Sequence, residues 1–377
     1  MELHPASAGL GVLSGRFRIG TLPRAKALGY SVLPFHGIGI PALGAQARIL
    51  NYGAACLVLH NSLIWWSHLI VTMKSTSSSA GANGARSPLV SLLAELATDE
   101  GFLPTALPDV RLMHSRGSHP SSPVVYEPSI VIIAQGYKRA RLGNSTYLYD
   151  SRNYLVLSVP LPFECETVGT ATRPMLGLAI RVTPVAVAEL LLEWESPWPA
   201  TSFLPRAIDA SPLTAELMDG ALRLAKCLRS PLESRVLGPA IVREIIYRVL
   251  WGKHGDALRA LATPRSNFSQ IARSLRRIHS DYRQHLDVAS LAREASMSLS
   301  TFHASFKAVT SKSPLHYLQT IRLHKAQALI AGGVAVAEAA RQVGYESPSQ
   351  FSREFKRLFG GTPIEIARRF RSALFAF

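Results

Sequence analysis

Between Pro123 and Val182 the apolar residues come in short bursts bounded by turn formers. Ser129-Ile-Val-Ile-Ile-Ala134 is a β-branched run. Arg141 to Asp150 alternates on either side of Gly143-Asn144, a turn pair. Tyr154 to Val159 and Met175 to Val182 follow in the same texture. Short strands at roughly regular spacing predict a small β-barrel or sandwich. Further on the period lengthens. Ser211-Pro212 and Ser230-Pro-Leu-Glu233 read as helix starts, the second as a capping box. After Ser230, Leu237, Ile241, Ile245 and Val249 recur every four residues, and Val236 and Leu250 widen the stripe. That face has to bury against the barrel, the preceding helix or a second copy of the chain. Gly255 to Ser266 reads as a loop.

The C-terminal third carries one pattern twice. Phe302, Phe306, Lys307 and Pro314 recur 49 residues later as Phe351, Phe355, Lys356 and Pro363. Ser298 and Ser300 recur as Ser347 and Ser349. Ala292 recurs as Ala340 at an offset of 48, so the second copy has one extra residue in its turn. A repeat of this length is one supersecondary unit used twice. Each copy reads as helix, tight turn, helix. The first runs Val288 to Ala295, then Ser298 to Lys307; the second runs Val336 to Val343, then Ser347 to Lys356. Ser298 and Ser347 suit N-caps, Pro348 suits the first helical position, and Gly344 suits a left-handed helix end. Between the units, Ser313-Pro314 opens a helix reaching about Ala331, roughly 28 Å at ~1.5 Å per residue. That compares with the ~34 Å between successive major-groove openings on one side of DNA.

With the phenylalanines buried, Ser300, Thr301, His303, Ala304 and Lys307 face outward from the second helix of the first unit. Ser349, Gln350, Ser352, Arg353 and Lys356 do so from the second. Residues 269–371 resemble the DNA-binding domain of the AraC/XylS family of bacterial transcription regulators. The motifs that carry this are Leu-Ala-Arg-Glu-Ala at 291–295, Met297 to His303, Phe306-Lys307, Ser313 to Tyr317, Arg322-Leu323, Val343 to Phe355, and Gly360-Gly-Thr-Pro363. The resemblance implies that the second helix of each unit enters the major groove and, by position, that Ser300, Thr301, His303, Ala304, Ser349, Gln350, Ser352 and Arg353 contact DNA; the outward Lys307 and Lys356 complete the expected DNA-binding set. Many relatives carry Arg where this chain has Ala304, which implies weaker base reading by the first unit. Tyr126-Glu-Pro128, Gln135 to Lys138, Tyr149-Asp150 and Leu161-Pro162 resemble the amino-terminal, cupin-like domain of one AraC-type subgroup, an effector or dimer module.

Charge changes the picture by where it sits. The chain carries +16. From Arg265 onward, 17 Lys and Arg face 7 Asp and Glu, whereas residues 75–264 carry 18 against 17. The basic excess lies on the repeat, as a phosphate-contacting surface requires. Cys56, Cys165 and Cys227 have no metal or redox spacing, which fits a reducing cytoplasm. Cys165 reads as a buried apolar residue rather than a thiol sensor. Glu164 and Glu166 read as an exposed strand surface.

The first 84 residues differ, with six basic residues and one acidic residue. Ala54 to Met73 is apolar but broken by His60, Asn61 and His68, a poor membrane span. Residues 1–72 are expected to be an upstream extension, so that a chain starting at Met73 keeps the fold and the DNA affinity.

The expected fold is multidomain α+β. Its parts are an extension over 1–84, a cupin-like β-barrel over 85–205, linker helices over 206–264, and an all-α DNA-binding domain over 265–377, two helix-turn-helix units joined by a long helix. The expected partners are double-stranded promoter DNA and a second copy, with RNA polymerase as a further candidate and no stable membrane association. No catalytic residue, cofactor, metal or particular effector is assigned. The main rival, a cupin metalloenzyme with a DNA-binding tail, lacks ligands, since no histidine lies between His119 and His254. A DNA-repair methyltransferase would need a Pro-Cys-His-Arg cysteine, which is absent. A nonspecific architectural binder would not distinguish promoter from random DNA.

Overall fold

The computed structural model describes residues 87–193, 204–252, 255–263 and 266–373. The expectations for the first 84 residues, including the start at Met73, lie outside them. After helix α1 (Pro88–Leu96) come nine strands: β1 (Gly101–Pro104), β2 (Val110–Ser115), β3 (His119–Tyr126), β4 (Ser129–Gln135), β5 (Tyr137–Leu142), β6 (Ser145–Asp150), β7 (Asn153–Leu157), β8 (Leu161–Val168) and β9 (Met175–Arg181). Helix α2 (Pro184–Leu192), strand β10 (Ile208–Pro212) and helices α3 (Ala215–Cys227), α4 (Pro231–Trp251) and α5 (Asp256–Ala262) complete this half.

The strands form two antiparallel sheets rather than one closed ring. One has the order β1-β2-β9-β4-β7-β10, the other β3-β8-β5-β6. The first sheet is covered on both faces. Val131, Ile133, Leu155 and Leu157 point into the core shared with the second sheet. Ile130, Ile132, Tyr154 and Val156 point into a second core that holds residues of α1, α3 and α4. Burial on both faces is why the β4 stretch is an unbroken apolar run instead of an alternation. The second sheet is covered on one face only. In β5, Lys138, Ala140 and Leu142 are buried while Arg139 and Arg141 are exposed. Those arginines pair with Glu166 and Glu164 of β8 across the ladder, an exposed arrangement that contributes little.

Two expectations are corrected. Ser211-Pro212 does not open a helix: both residues end β10, which pairs with β7 through Ala210↔Leu155. The next helix starts three residues later, with the Thr214 hydroxyl accepting from the Leu217 amide at 3.3 Å. Pro212 can end this strand because β10 is the sheet edge. The stretch from Gly255 is not all loop. Ala257, Leu258 and Ala260 are buried within α5, a helix too short to show a period in sequence. The stripe on α4 divides. Ile245, Val249 and Leu250 are buried inside the chain, whereas Val236 and Leu237 remain exposed.

The last part is helical: α6 (Asn267–Asp281), α7 (Val288–Glu294), α8 (Leu299–Thr310), α9 (Pro314–Ala331), α10 (Val336–Gln342), α11 (Pro348–Phe359) and α12 (Pro363–Ala373). Helix α9 keeps the bounds read from sequence, because a Ser-Pro start and a double glycine stop are local signals.

Candidate nucleic-acid interface

Helices α8 and α11 are built alike. Ser298 caps the first, accepting the Thr301 amide at 3.2 Å; Ser347 caps the second, accepting that of Gln350 at 3.3 Å. Each helix is rooted by two phenylalanines a turn apart, Phe302 with Phe306 and Phe351 with Phe355, all fully buried. Ring centroids in each pair lie 5.5 Å apart. Fully burying such a side chain stabilises by about 1.5–3 kcal/mol, so the orientation of each helix about its axis is well determined.

The consequence is a fixed outer face. Ser300, Thr301, His303, Ala304 and Lys307 are exposed on α8; Ser349, Gln350, Ser352, Arg353 and Lys356 are exposed on α11. Each set is brought together along one helix. On α8 the polar groups partly satisfy one another, since the Ser298 hydroxyl lies 2.8 Å from that of Thr301 and 3.2 Å from that of Ser300. On α11, Gln350 donates its side-chain amide to Glu354 at 3.0 Å, and the other Glu354 oxygen accepts the Tyr345 hydroxyl at 2.7 Å. Tyr345 therefore aims Glu354, and Glu354 aims Gln350. Sequence spacing singles out Gln350 but not Glu354.

The turns that set the angle within each unit use left-handed residues, Ser296 at φ 53° and Gly344 at φ 88°. A Cβ on Gly344 would come within 2.7 Å of the Arg283 carbonyl oxygen, so this position needs glycine for space as well as for φ. Arg322, on the connector α9, holds the assembly together. Its Nε donates to the Tyr282 carbonyl at 2.7 Å, Nη1 to that of Gly344 at 3.0 Å and Nη2 to that of Gln284 at 2.9 Å. The motif Arg322-Leu323 was visible in sequence; these three long-range acceptors were not.

Three comparisons bear on this arrangement. Residues 106–257 match the family described as AraC-type transcriptional regulator N-terminus, and residues 291–369 match a helix-turn-helix domain family. The chain belongs to the AraC/XylS family. It is 39% identical over 94 residues to a putative AraC-like transcription regulator of Streptomyces lividans, covering 25% of this chain and 31% of that protein. It is 36% identical over 95 residues to the HTH-type transcriptional regulator AlkR of Acinetobacter baylyi, with the same coverage. The chain thus spans about a third of the length of these curated relatives. Among solved structures, the fold is similar to that of ToxT from Vibrio cholerae with an unsaturated fatty acid bound, at a TM-score of 0.50 and 13% identity, over 71% of this chain and 95% of that one.

In this AraC/XylS member the β domain docks on the first unit. The Tyr317 hydroxyl donates to the Pro160 carbonyl at 2.7 Å and lies 2.8 Å from His279 Nε2. Because that hydroxyl already donates, His279 supplies its Nε2 proton to the same oxygen. Burial, then Lys325, hold the His279 pKa down to about 4. The ring is therefore neutral near pH 7, and its 3.9 Å approach to Glu127 is no ion pair there. Beside this contact a cavity of about 450 Å³ opens between the β domain and helices α9 and α11. Its walls include Arg141, Lys312, His316, His324, Glu354 and Arg357. Burial, Lys312 and Arg357 lower the His316 pKa.

Proposed function

We propose that this chain is a sequence-specific DNA-binding regulator of transcription, working through two reading helices per chain. The observation that carries this reading is the pair of exposed polar faces on α8 and α11, each set by a buried phenylalanine pair and lying on the basic third of the sequence. We assign DNA contact to Ser300, Thr301, His303, Ala304 and Lys307, and to Ser349, Gln350, Ser352, Arg353 and Lys356. Arg353 takes the leading part, since its guanidinium can bind guanine through two hydrogen bonds. Residues 265–377 are read as the DNA-binding domain, 85–205 as the effector or dimer module, 206–264 as linker helices and 1–84 as an extension. RNA polymerase is the expected further partner and the cytoplasm the expected location.

The chain is read as a regulator without a reaction of its own. Among the described residues no three His, Cys, Asp or Glu side chains cluster as metal ligands, and no helix is long and apolar enough to cross a membrane. Footprinting on DNA flanking the protein's own coding region tests the main reading. Protection of a defined site that survives excess random DNA at fixed salt supports it. Equal affinity for both DNAs would return the protein to the architectural class.

The dimer reading rests on α4, where Leu232, Val236 and Leu237 stay exposed at 62%, 66% and 49%. Sedimentation of the intact chain at micromolar concentration, with and without Val236→Lys, checks it. A wild type that stays monomeric refutes it.

A further inference from the structure

One carboxylate stands on a helix that has to approach phosphate. Glu354 lies on α11 directly after Arg353. Near DNA a carboxylate repels phosphate and a neutral residue does not, so its presence needs a reason. Its two oxygens serve two partners. One accepts the Tyr345 hydroxyl at 2.7 Å, the other the Gln350 side-chain amide at 3.0 Å. Tyr345 is buried and its ring meets Phe351 edge-on at 5.3 Å, so the first contact is anchored in the core of the unit. Burial, then the hydrogen bond to Glu354, raise the Tyr345 pKa above its ordinary value, so its hydroxyl keeps its proton and stays a donor. Gln350, by contrast, is exposed. The contacts therefore run from a buried group to an exposed one. The first unit has no counterpart: 49 residues earlier, Gln350 and Glu354 correspond to Thr301 and Ser305.

A free glutamine amide is an ambiguous reader. It has two N–H donors and one carbonyl acceptor, and it can turn either end toward a base. In the major groove adenine shows an acceptor, N7, beside a donor, N6–H, whereas guanine shows two acceptors, N7 and O6. Two outward N–H groups therefore suit guanine, and one N–H beside a carbonyl suits adenine. A carboxylate accepts and does not donate. Glu354 thus takes the nitrogen end of the Gln350 amide and turns the carbonyl end away from itself. One N–H is spent on Glu354, which leaves one donor and one acceptor for a base. Gln350 and Arg353 are both exposed and stand about one turn apart on α11, so they reach neighbouring base pairs.

We infer that Gln350 reads adenine and that Glu354 is the positioning residue that gives it this choice, with Tyr345 holding Glu354 in place. This rests on the reading of the chain as a sequence-specific DNA-binding regulator, and it names what one face of α11 recognises: an A·T pair beside the G·C pair read by Arg353. Glu354 acts through Gln350 and not on the base. It removes one donor and fixes the direction of the amide before DNA arrives. A side chain already held by a partner also has less rotamer freedom to lose on binding. The carboxylate is kept on the reading helix, against its repulsion from phosphate, because it excludes guanine from the Gln350 position.

The test uses the full chain and a randomised duplex DNA library, from which the wild type, Gln350→Ala and Glu354→Ala each select their preferred sequences. The wild type should select a site in which an adenine adjoins the guanine whose preference Arg353→Ala relaxes. Gln350→Ala should lose the preference at that adenine. Glu354→Ala should admit guanine there, reducing an adenine-over-guanine preference of about tenfold in the wild type to about twofold or less, with the other positions unchanged. Should Glu354→Ala fail to fold, Tyr345→Phe, which keeps the ring against Phe351, is read the same way. Anisotropy titration with 7-deazaadenine at that position, which lacks only the N7 acceptor, checks the contact itself: the wild type should lose about fivefold in affinity and Gln350→Ala nothing. A base other than adenine at the Gln350 position, or a 7-deazaadenine loss that is absent or equal in the two proteins, overturns the adenine assignment. An unchanged adenine preference in Glu354→Ala, or an equal weakening on all sequences, overturns the positioning role and leaves Glu354 as a tether for Tyr345. A wild type that selects no sequence at all strikes the regulator reading itself, whereas a defined site indifferent to Gln350 and Glu354 strikes only the roles given to these two residues.

Discussion

In the first helix-turn-helix unit, Phe302 and Phe306 belong to a core that runs on through Tyr317 into the β domain. Their counterparts Phe351 and Phe355 close a smaller core with Ile330, Val343 and Ile366. The two units have the same caps, the same aromatic pair and the same proline after the second helix. They differ in what stands three residues past that proline, Tyr317 in one and Ile366 in the other. Tyrosine carries a hydroxyl that reaches Pro160 and His279; isoleucine has none. A repeat therefore specifies the local unit, and one residue outside its signature helps decide whether the aromatic core of the unit is shared with the β domain or closed on itself. The unit that shares its core is also the one with Ala304 on its reading face, while the other offers Arg353.

The largest expected effect tests whether the second unit depends on its anchor. Arg322→Met removes three hydrogen bonds from a charged donor, each worth about 1.5–3 kcal/mol but not additive. A loss of about 3–4 kcal/mol is expected, concentrated in α10 and α11. Amide hydrogen exchange reads this directly: those helices should exchange faster while α7 and α8 keep their protection. Uniform acceleration would mean that the two units unfold as one.

Next comes the contrast in DNA reading. Arg353→Ala should cost about 1–3 kcal/mol on the cognate site and relax preference at one base pair. Thr301→Ala on the docked unit should cost less. Anisotropy titrations against the site and its single-base variants measure both. If Arg353→Ala weakens all sequences equally, that residue meets phosphate and the asymmetry between the units is not one of base recognition.

A half-buried histidine stands beside each unit, His279 on α6 and His324 on α9, and acid should find both. The folded-state pKa of His279 is about 4 and that of His324 about 3, both lowered first by burial from an ordinary 6.5. Where the folded value is depressed, the unfolded chain binds more protons at intermediate pH, so stability is full above about 6.5 and falls as pH drops toward 4. A loss of roughly 1–2 kcal/mol per histidine is expected by pH 5. His279 has Tyr317 as a partner, whereas His324 Nε2 is buried without one and its ring meets the edge of Phe359 at 5.0 Å. Urea midpoints at pH 7.5 and 5 for His279→Gln and His324→Leu would show which unit carries the acid sensitivity. Unchanged slopes in both variants would place it elsewhere.

These differences also show what could be read from the chain alone. The caps at Ser298, Ser313 and Ser347, the left-handed Gly344 and the extent of α9 rest on signals within a few residues, and all were legible. The fate of Ser211-Pro212 was decided by pairing with β7, more than fifty residues away in sequence, and no local signal competes with that. Lys138 stands at the end of the Gln135 to Lys138 motif, and only the pairing of β5 with β6 and β8 turns its side chain inward. Arg322 and Tyr317 stood inside recognised motifs, yet their acceptors lie on segments that sequence spacing does not connect. The outer faces of α8 and α11 were legible because burying the phenylalanines leaves only one way for the remaining residues to point.

A smaller effect sharpens the docking claim. Tyr317→Phe keeps the ring, which meets Phe306 edge-on at 5.5 Å, and removes the hydroxyl that receives the His279 proton and donates to Pro160. A loss of about 1 kcal/mol is expected. Chemical denaturation read by a probe in the β domain and by one in α8 should show the two transitions moving apart. Coincident transitions would mean that the apolar contacts alone join the two regions.

The smallest effect concerns the two helix ends, which occupy the same place in the repeat. Helix α8 ends on Ser311 at φ 58°, and α11 ends on Gly360 at φ 73°. A left-handed residue with a Cβ costs about 1–2 kcal/mol, so Ser311 holds a conformation that glycine adopts freely. Ser311→Gly should stabilise by roughly 0.5 kcal/mol once the greater freedom of glycine in the unfolded chain is subtracted. Gly360→Ser should destabilise by a similar amount, since a Cβ there meets nothing within 4 Å. The two sites part company in their surroundings. A Cβ on Gly143, in the β5–β6 turn, would lie 3.2 Å from the Ser311 hydroxyl, so the β domain passes close to the first cap and not to the second. Thermal midpoints of the two variants decide between local and tertiary control. Equal and opposite shifts mean that the cap is a property of the repeat. A loss in Ser311→Gly means that the serine is held for its contact with the β domain, against its own backbone preference.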